Sequence, residues 1–203
     1  MTACSLAQAQ PAKHWLAALL CSVLLLAGCG TLTTQQHATN AVDRQASQRF
    51  DLEGRMSASD GDRGANGQIE WRHDAVRDEV TLYTPLGQIA ARLESSLHGA
   101  ELLTGDGKVF HADSADALLP ELLGISLPVA RLAYWVQAAP PSGAEIRDVD
   151  ADGRPALVID QGWRIEYLEY HPGAAASALP RRLDVSRGDA RIRLIIDQWT
   201  TQQ

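Results

Sequence analysis

Cys29 is the residue of this chain best placed for covalent chemistry. It follows Leu26-Ala27-Gly28 at the end of an apolar run that starts at Trp15, with Lys13 and His14 just before the run. A charged start, a short apolar core and small residues before a cleavage point form the layout of a bacterial secretion signal. The run is about 13 residues long, short of the ~20 that span a bilayer. A cysteine directly after Leu-Ala-Gly makes this signal a lipobox: the sulfur takes a diacylglycerol, the chain is cut before it, and the new amino group is acylated. The sequence therefore predicts a signal peptide over 1–28 and a lipidated Cys29. A polar, Thr- and Gln-rich tether follows over 29–40, then one domain over 41–203. Gly30-Thr31 places no acidic residue beside the lipid, the pattern that in Gram-negative bacteria lets a lipoprotein leave the inner membrane. The expected location is the outer membrane, lipid-anchored and facing the periplasm. No cofactor is expected beyond that covalent lipid.

Other reactive constellations fade on inspection. Cys4 and Cys21 fall in the signal, so the mature domain keeps no thiol for a disulfide, a metal or a nucleophile. Asp148-Val149-Asp150-Ala151-Asp152-Gly153 copies the first half of an EF-hand loop, but its twelfth position is Ile159, where a bidentate Glu is needed. With strand patterns on both sides, a hairpin loop is expected there and no metal. His37, His73, His98, His111 and His171 show no metal-ligand spacing, and no Gly-x-Ser-x-Gly turn occurs. Acidic residues mostly alternate with apolar ones, as on the solvent face of a sheet. No enzyme is expected. Removing Lys13 with the signal leaves 17 bases against 25 acids, a net charge of −8. Nucleic-acid binders show the opposite balance.

Thr84-Pro85-Leu86-Gly87-Gln88 is a different kind of motif. Pro at the second turn position and Gly at the fourth fit a tight turn, which sets Leu86 at a loop tip. Either Leu86 folds back onto the core, or an apolar side chain protrudes where a polar one is usual.

The elements around this turn follow from hydrophobic periodicity. Residues 41–48 have the makings of a short helix, and period-2 alternation begins at Arg49. Phe50, Leu52, Gly54 and Met56 share one face of a strand. Residues 58–67 read as a polar, Gly-rich connection. Ile69 and Trp71, then Val80 and Leu82, then Ile89, Ala91 and Leu93 continue the alternation. Asp106-Gly107 signals a tight hairpin, both residues tolerating positive φ. Then the period changes. Asp113 or Ser114 can cap a helix carrying Leu118, Leu119, Leu122 and Leu123, stopped by Gly124, with Pro120 as a kink or a broken first turn. Pro128 suits the first position of a second helix bearing Val129, Leu132, Trp135 and Val136, ended by Pro140-Pro141. Strands resume near Glu145, Ala156, Trp163, Arg182 and Arg191. The expected fold is mainly β with a helical insert. Ten or eleven antiparallel strands form an incomplete barrel, lidded by short helices on its concave side and enclosing a hydrophobic cavity. The inward candidates for that cavity are Phe50, Leu52, Met56, Ile69, Trp71, Val80, Leu82, Leu118, Leu122, Leu132, Trp135, Val136, Trp163 and Ile165.

From about Phe50 to Trp199 the chain resembles the LolB family. The resemblance rests on Gly54-Arg55, Gln68-Ile69-Glu70-Trp71, the Pro85-Leu86-Gly87 turn, and Leu118-Leu119 with Leu122-Leu123-Gly124. Leu127-Pro128, Trp135-Val136, Gln161-Gly162-Trp163 and the closing Trp199 complete it. It implies an incomplete barrel lidded by helices, shared with the soluble carrier LolA. It also implies a receptor that takes lipoproteins from a LolA-like periplasmic carrier, holds their acyl chains and places them in the outer membrane, working as a monomer. By the same resemblance, Pro85, Leu86 and Gly87 form a membrane-delivery loop with Leu86 protruding. The acidic net charge departs from the family pattern. The competing reading is a lipoprotein that binds another amphiphile, or a structural subunit of an envelope assembly with a filled core.

Overall fold

The computed structural model describes residues 41–62 and 64–202; the signal peptide, Cys29 and the tether over 29–40 lie outside the described residues. Eleven strands form one antiparallel sheet: β1 (Arg49–Ser59), β2 (Gly64–Asp74), β3 (Arg77–Tyr83), β4 (Ile89–Ser96), β5 (Gly99–Thr104), β6 (Val109–Ala112), β7 (Glu145–Val149), β8 (Pro155–Asp160), β9 (Trp163–Tyr170), β10 (Pro180–Arg187) and β11 (Ala190–Gln202). Their spatial order is β6-β5-β4-β3-β2-β1-β11-β10-β9-β8-β7, so two meanders meet where β1 pairs with β11. β6 and β7 remain unjoined edges, and the barrel is open as expected. Between β6 and β7 the chain makes two short helices, α1 (Ala115–Leu123) and α2 (Val129–Trp135).

Strand alternation sets the inner face. Phe50, Leu52 and Ala58 on β1 are buried, as are Ile69 and Trp71 on β2, Ala91 and Leu93 on β4, and Leu183 and Val185 on β10. Their neighbours in sequence point to solvent and pair by charge, as Arg55 does with Asp197 across the sheet. Gly54 sits where the β1–β11 register shifts. A Cβ there would lie 2.2 Å from the Ile195 carbonyl oxygen, so a larger residue would push the two strands apart.

Several local expectations change. Residues 41–47 form an irregular strap in place of a helix. Arg44 holds the strap in place: its guanidinium donates to the Ala175 and Ala178 carbonyls at 2.6 Å, groups far along the chain. The polar connection shrinks to residues 60–63, because β1 runs to Ser59 and β2 starts at Gly64, pairing small residues to the end. The β5–β6 hairpin has a three-residue loop, closed by Thr104 N–H to the Lys108 carbonyl, and of Asp106 and Gly107 only Gly107 takes positive φ. α1 runs through Pro120, with Ser114 at its N-cap making no side-chain cap bond and Gly124 in the left-handed region at its end. Pro128 is the N-cap of α2, one position earlier than expected. α2 stops at Trp135, well before Pro140. Ala138 turns left-handed (φ 51°) and the Ala138 and Ala139 N–H groups bond back to Trp135 and Tyr134, which closes the helix end in the Schellman manner.

Candidate functional site

An apolar seam lies between the concave face of the sheet and the two helices. Met56, Ile69, Trp71, Val80, Leu82, Ala91 and Leu93 line it from β1 to β4, and Leu183, Val185, Ile192 and Leu194 from β10 and β11. Leu119 and Leu123 of α1, Leu127, and Val129 and Leu132 of α2 close it from above. Among the described residues, no charged or amide side chain takes part. The open volume is about 70 Å³, room for two or three methylenes at the ~30 Å³ that a water-sized group occupies. A sixteen-carbon acyl chain needs on the order of 400 Å³ by the same measure. The hydrophobic cavity expected from the sequence is therefore not shown: the seam is too narrow for a whole acyl chain.

The two helices are held differently. Arg131 and Trp135, one turn apart on α2, converge on Asp160 of β8, which is 2% exposed. Arg131 Nε and Trp135 Nε1 each donate to Asp160 Oδ2 at 2.7 Å, and the Arg131 guanidinium also reaches Oδ1. The Asp160 hydrogen bond raises the Arg131 pKa. Tyr167 Oη donates to the Trp135 carbonyl at 2.8 Å, and its burial raises its own pKa well above the usual tyrosine value. Asp160 thus departs from the rule that acids on these strands face solvent: a helix supplies its charge partner. α1 packs on β4 to β6 through its leucines and, among the described residues, has no such polar anchor on the sheet. Asp116 Oδ1 accepts the Val129 N–H at 2.8 Å, which links α1 to α2 and not to the sheet.

The β3–β4 turn stands clear of the core. Gly87 N–H bonds the Thr84 carbonyl and Thr84 N–H bonds the Gln88 carbonyl, both at 2.8 Å. Gly87 has φ 79°, so the loop is a type I turn closed by a left-handed glycine. Leu86 is 89% exposed at its tip. Of the two orientations open from sequence, the structure shows the protruding one. The strap enters at the other end of the strands. Val42 N–H bonds Gly153 in the β7–β8 turn, and Gln137 clasps Ser47 through both its amide groups. That β7–β8 turn is the hairpin expected over 148–153, with Arg154 Nε on Asp150 Oδ2 at 2.7 Å. A wider depression of about 370 Å³ also lies at this end. Asp78 in its wall accepts from Trp71 Nε1 and contacts His73 Nδ1, each at 2.8 Å, a polar lining ill suited to an acyl chain.

Residues 48–199 match the family model described as outer membrane lipoprotein LolB. The chain belongs to the LolB family. It is 62% identical over 195 residues to the outer-membrane lipoprotein LolB of Azoarcus sp. (strain BH72), covering 96% of this chain and all of that one. It is 38% identical over 175 residues to the LolB of Thiobacillus denitrificans, covering 86% and 91% of the two chains. Among solved structures, a LolA superfamily protein from Nitrosomonas europaea superposes with a TM-score of 0.41 at 9% identity over 79% of this chain and 89% of that one.

In this LolB-family domain the sequence-derived cavity residues divide into groups. Met56, Ile69, Trp71, Val80, Leu82 and Leu132 meet in the seam. Phe50, Leu52, Leu118, Trp135, Val136, Trp163 and Ile165 are buried in the surrounding core and do not line it. Phe50 packs among Trp71, His73 and Trp199 at the strap end, and Trp135 packs on Trp163 beneath α2. The side chain of Leu122 lies outside the described residues, as does Cys29. Sequence reasoning missed Leu183, Val185, Ile192 and Leu194 as wall residues. Their alternation was visible, but only the β1–β11 pairing sets Leu194 opposite Met56, with Leu183 of β10 next in the same row.

Proposed function

We propose that this protein, anchored in the outer membrane through lipidated Cys29, accepts lipoproteins from a LolA-like periplasmic carrier and passes them to the bilayer. The outer-membrane lipoprotein LolB named among its relatives supports this reading, and the wholly apolar seam under a helical lid carries it. A triacylated lipoprotein has on the order of 45 methylenes, and at ~0.8 kcal/mol each their exposure to water would cost roughly 35 kcal/mol. A surface that closes over acyl chains removes most of that cost. Transfer then requires no nucleotide and no chemical step, only affinities that increase from carrier to receptor to membrane.

The closed seam must widen to admit a chain. α2 is pinned to β8 through Asp160, whereas α1 leans on the sheet through leucines, so α1 with Leu119 and Leu123 is the part that lifts. Met56, Ile69, Trp71, Val80, Leu82 and Leu132 would then contact the chain. The buried groups behind them, from Phe50 to Trp163, hold the wall in shape. Leu86 acts at the end, as an apolar tip entering the membrane during release. The domain acts as a monomer. A purified carrier–lipoprotein complex incubated with the receptor tests this directly: lipoprotein should leave the carrier without nucleotide. It should also do so with a Cys29→Ser protein made with a plain secretion signal, since the tether separates anchor from domain. Lipoprotein that stays on the carrier in both cases would overturn the proposal and favour a structural subunit.

A further inference from the structure

Leu86 is not the only exposed apolar residue at its end of the molecule. The ladders of β3 to β6 place the outward side chains in rows. Nearest the turn, Tyr83 faces Ile89. In the next row Thr81 faces Arg92, Arg92 faces Leu103, and Leu103 faces Val109. In the third row Glu79, Glu94, Glu101 and His111 stand side by side. Ile89, Leu103 and Val109 are 45%, 37% and 50% exposed. Outward positions on a strand beside water are normally polar, and single exposed apolar residues need no explanation. Here, however, they adjoin one another and continue to the Leu86 tip, with Lys108 beside them in the β5–β6 turn.

We propose that the outer face of β4–β6 next to the Pro85–Gly87 turn is a landing surface that seats in the headgroup layer of the bilayer. The proposal rests on the membrane role of Leu86 and adds to it the surface that orients the tip. The order of the rows names the occupant. An apolar tip, then a row with an aromatic ring, then cations mixed with aliphatic groups, then carboxylates, is the polarity sequence met on leaving a membrane. Rows are ~7 Å apart, so the acidic row, roughly 14 Å behind the first, sets the limit of entry, and only the tip and the rows before it can meet the interface. Three carboxylates set side by side repel one another; Arg72 and Arg77 pair with Glu79, Arg77 also reaches Glu94, and His111 lies by Glu101, which leaves a row that is charged throughout and costly to bury. Lys108 is paired with Asp106 at 2.7 Å but its side chain remains 71% exposed. β6 is also a free sheet edge, whose unpaired backbone groups cannot enter hydrocarbon. That confines the contact to the headgroups.

The test uses the full lipid-anchored protein in phosphatidylethanolamine–phosphatidylglycerol vesicles. A nitrobenzoxadiazole probe is attached in turn through Leu86→Cys, Leu103→Cys, Val109→Cys and Glu101→Cys, the last as the control from the acidic row. The expected result is blue-shifted emission, quenched by brominated lipid, at 86, 103 and 109, with 101 remaining as in water. If 86 shifts while 103 and 109 match 101, the landing surface is wrong and the Leu86 role stands. No shift at 86 overturns both. A shift at 103 and 109 that appears on adding carrier without vesicles assigns the face to the carrier and overturns the proposal.

Discussion

Filling the seam should raise stability and lower lipoprotein acceptance together. Ala91 is 1% exposed on β4 and lines the seam between Leu82 and Leu93. Ala91→Val adds two methyl groups, ~60 Å³ at ~30 Å³ apiece, close to the open volume of about 70 Å³. Valine also suits a strand. Each buried carbon contributes ~0.8 kcal/mol, and some is lost to imperfect fit, so the closed form gains about 1 kcal/mol. For a domain of this size that raises Tm by roughly 2–4 °C. The same gain must be given up when a chain displaces the lid, and since 1.4 kcal/mol is tenfold in affinity, acceptance should weaken about fivefold. The assay pairs a thermal melt with titration of the carrier–lipoprotein complex. A raised Tm with unchanged acceptance would show that chains do not enter here. A lowered Tm would show that the seam has no room, and would refute the packing argument.

Leu86→Glu should leave the fold nearly untouched, with under ~0.5 kcal/mol and a Tm change below ~2 °C, yet slow release, so that lipoprotein accepted normally stays on the receptor in a vesicle-transfer assay. A large fall in Tm would contradict the exposed tip. Asp160→Ala removes the shared partner of Arg131 and Trp135. Arg131 is 23% exposed and can turn to water, but the Trp135 N–H is left buried and unpaired. The expected loss is about 3 kcal/mol, a fall of roughly 6–12 °C, with faster hydrogen exchange in α2. Melting unchanged within a degree would remove Asp160 as the anchor of the lid.

What the sequence disclosed depended on the range of the interactions. The β3–β4 turn was legible because Pro85 and Gly87 fix their own backbone, and the inner faces of β1, β2 and β4 were legible because a period of two needs no partner. Which way Leu86 pointed was not, since a turn fixes its backbone and leaves the tip side chain free to fold either way. Asp160 looked like another solvent-facing acid because its partners come from a helix 25 and 29 residues away. The strap was misread for a related reason: Ala41 to Gln48 has helix-forming composition, but Arg44 and Ser47 bond to groups about ninety or more residues away. The seam walls on β10 and β11 depended on pairing the two ends of the domain. Volume was the least legible property, because it depends on how closely the helices settle on the sheet.

The transfer function depends most directly on where an acyl chain lies as it passes through the protein. A photo-reactive amino acid at Leu82 or Leu132, both in the seam, should crosslink to the lipid of a client lipoprotein loaded from the carrier. The same group at Glu166, on the outer face of β9, should not. Capture at the seam positions alone is the predicted result; equal capture at all three, or none at Leu82 and Leu132, would contradict it.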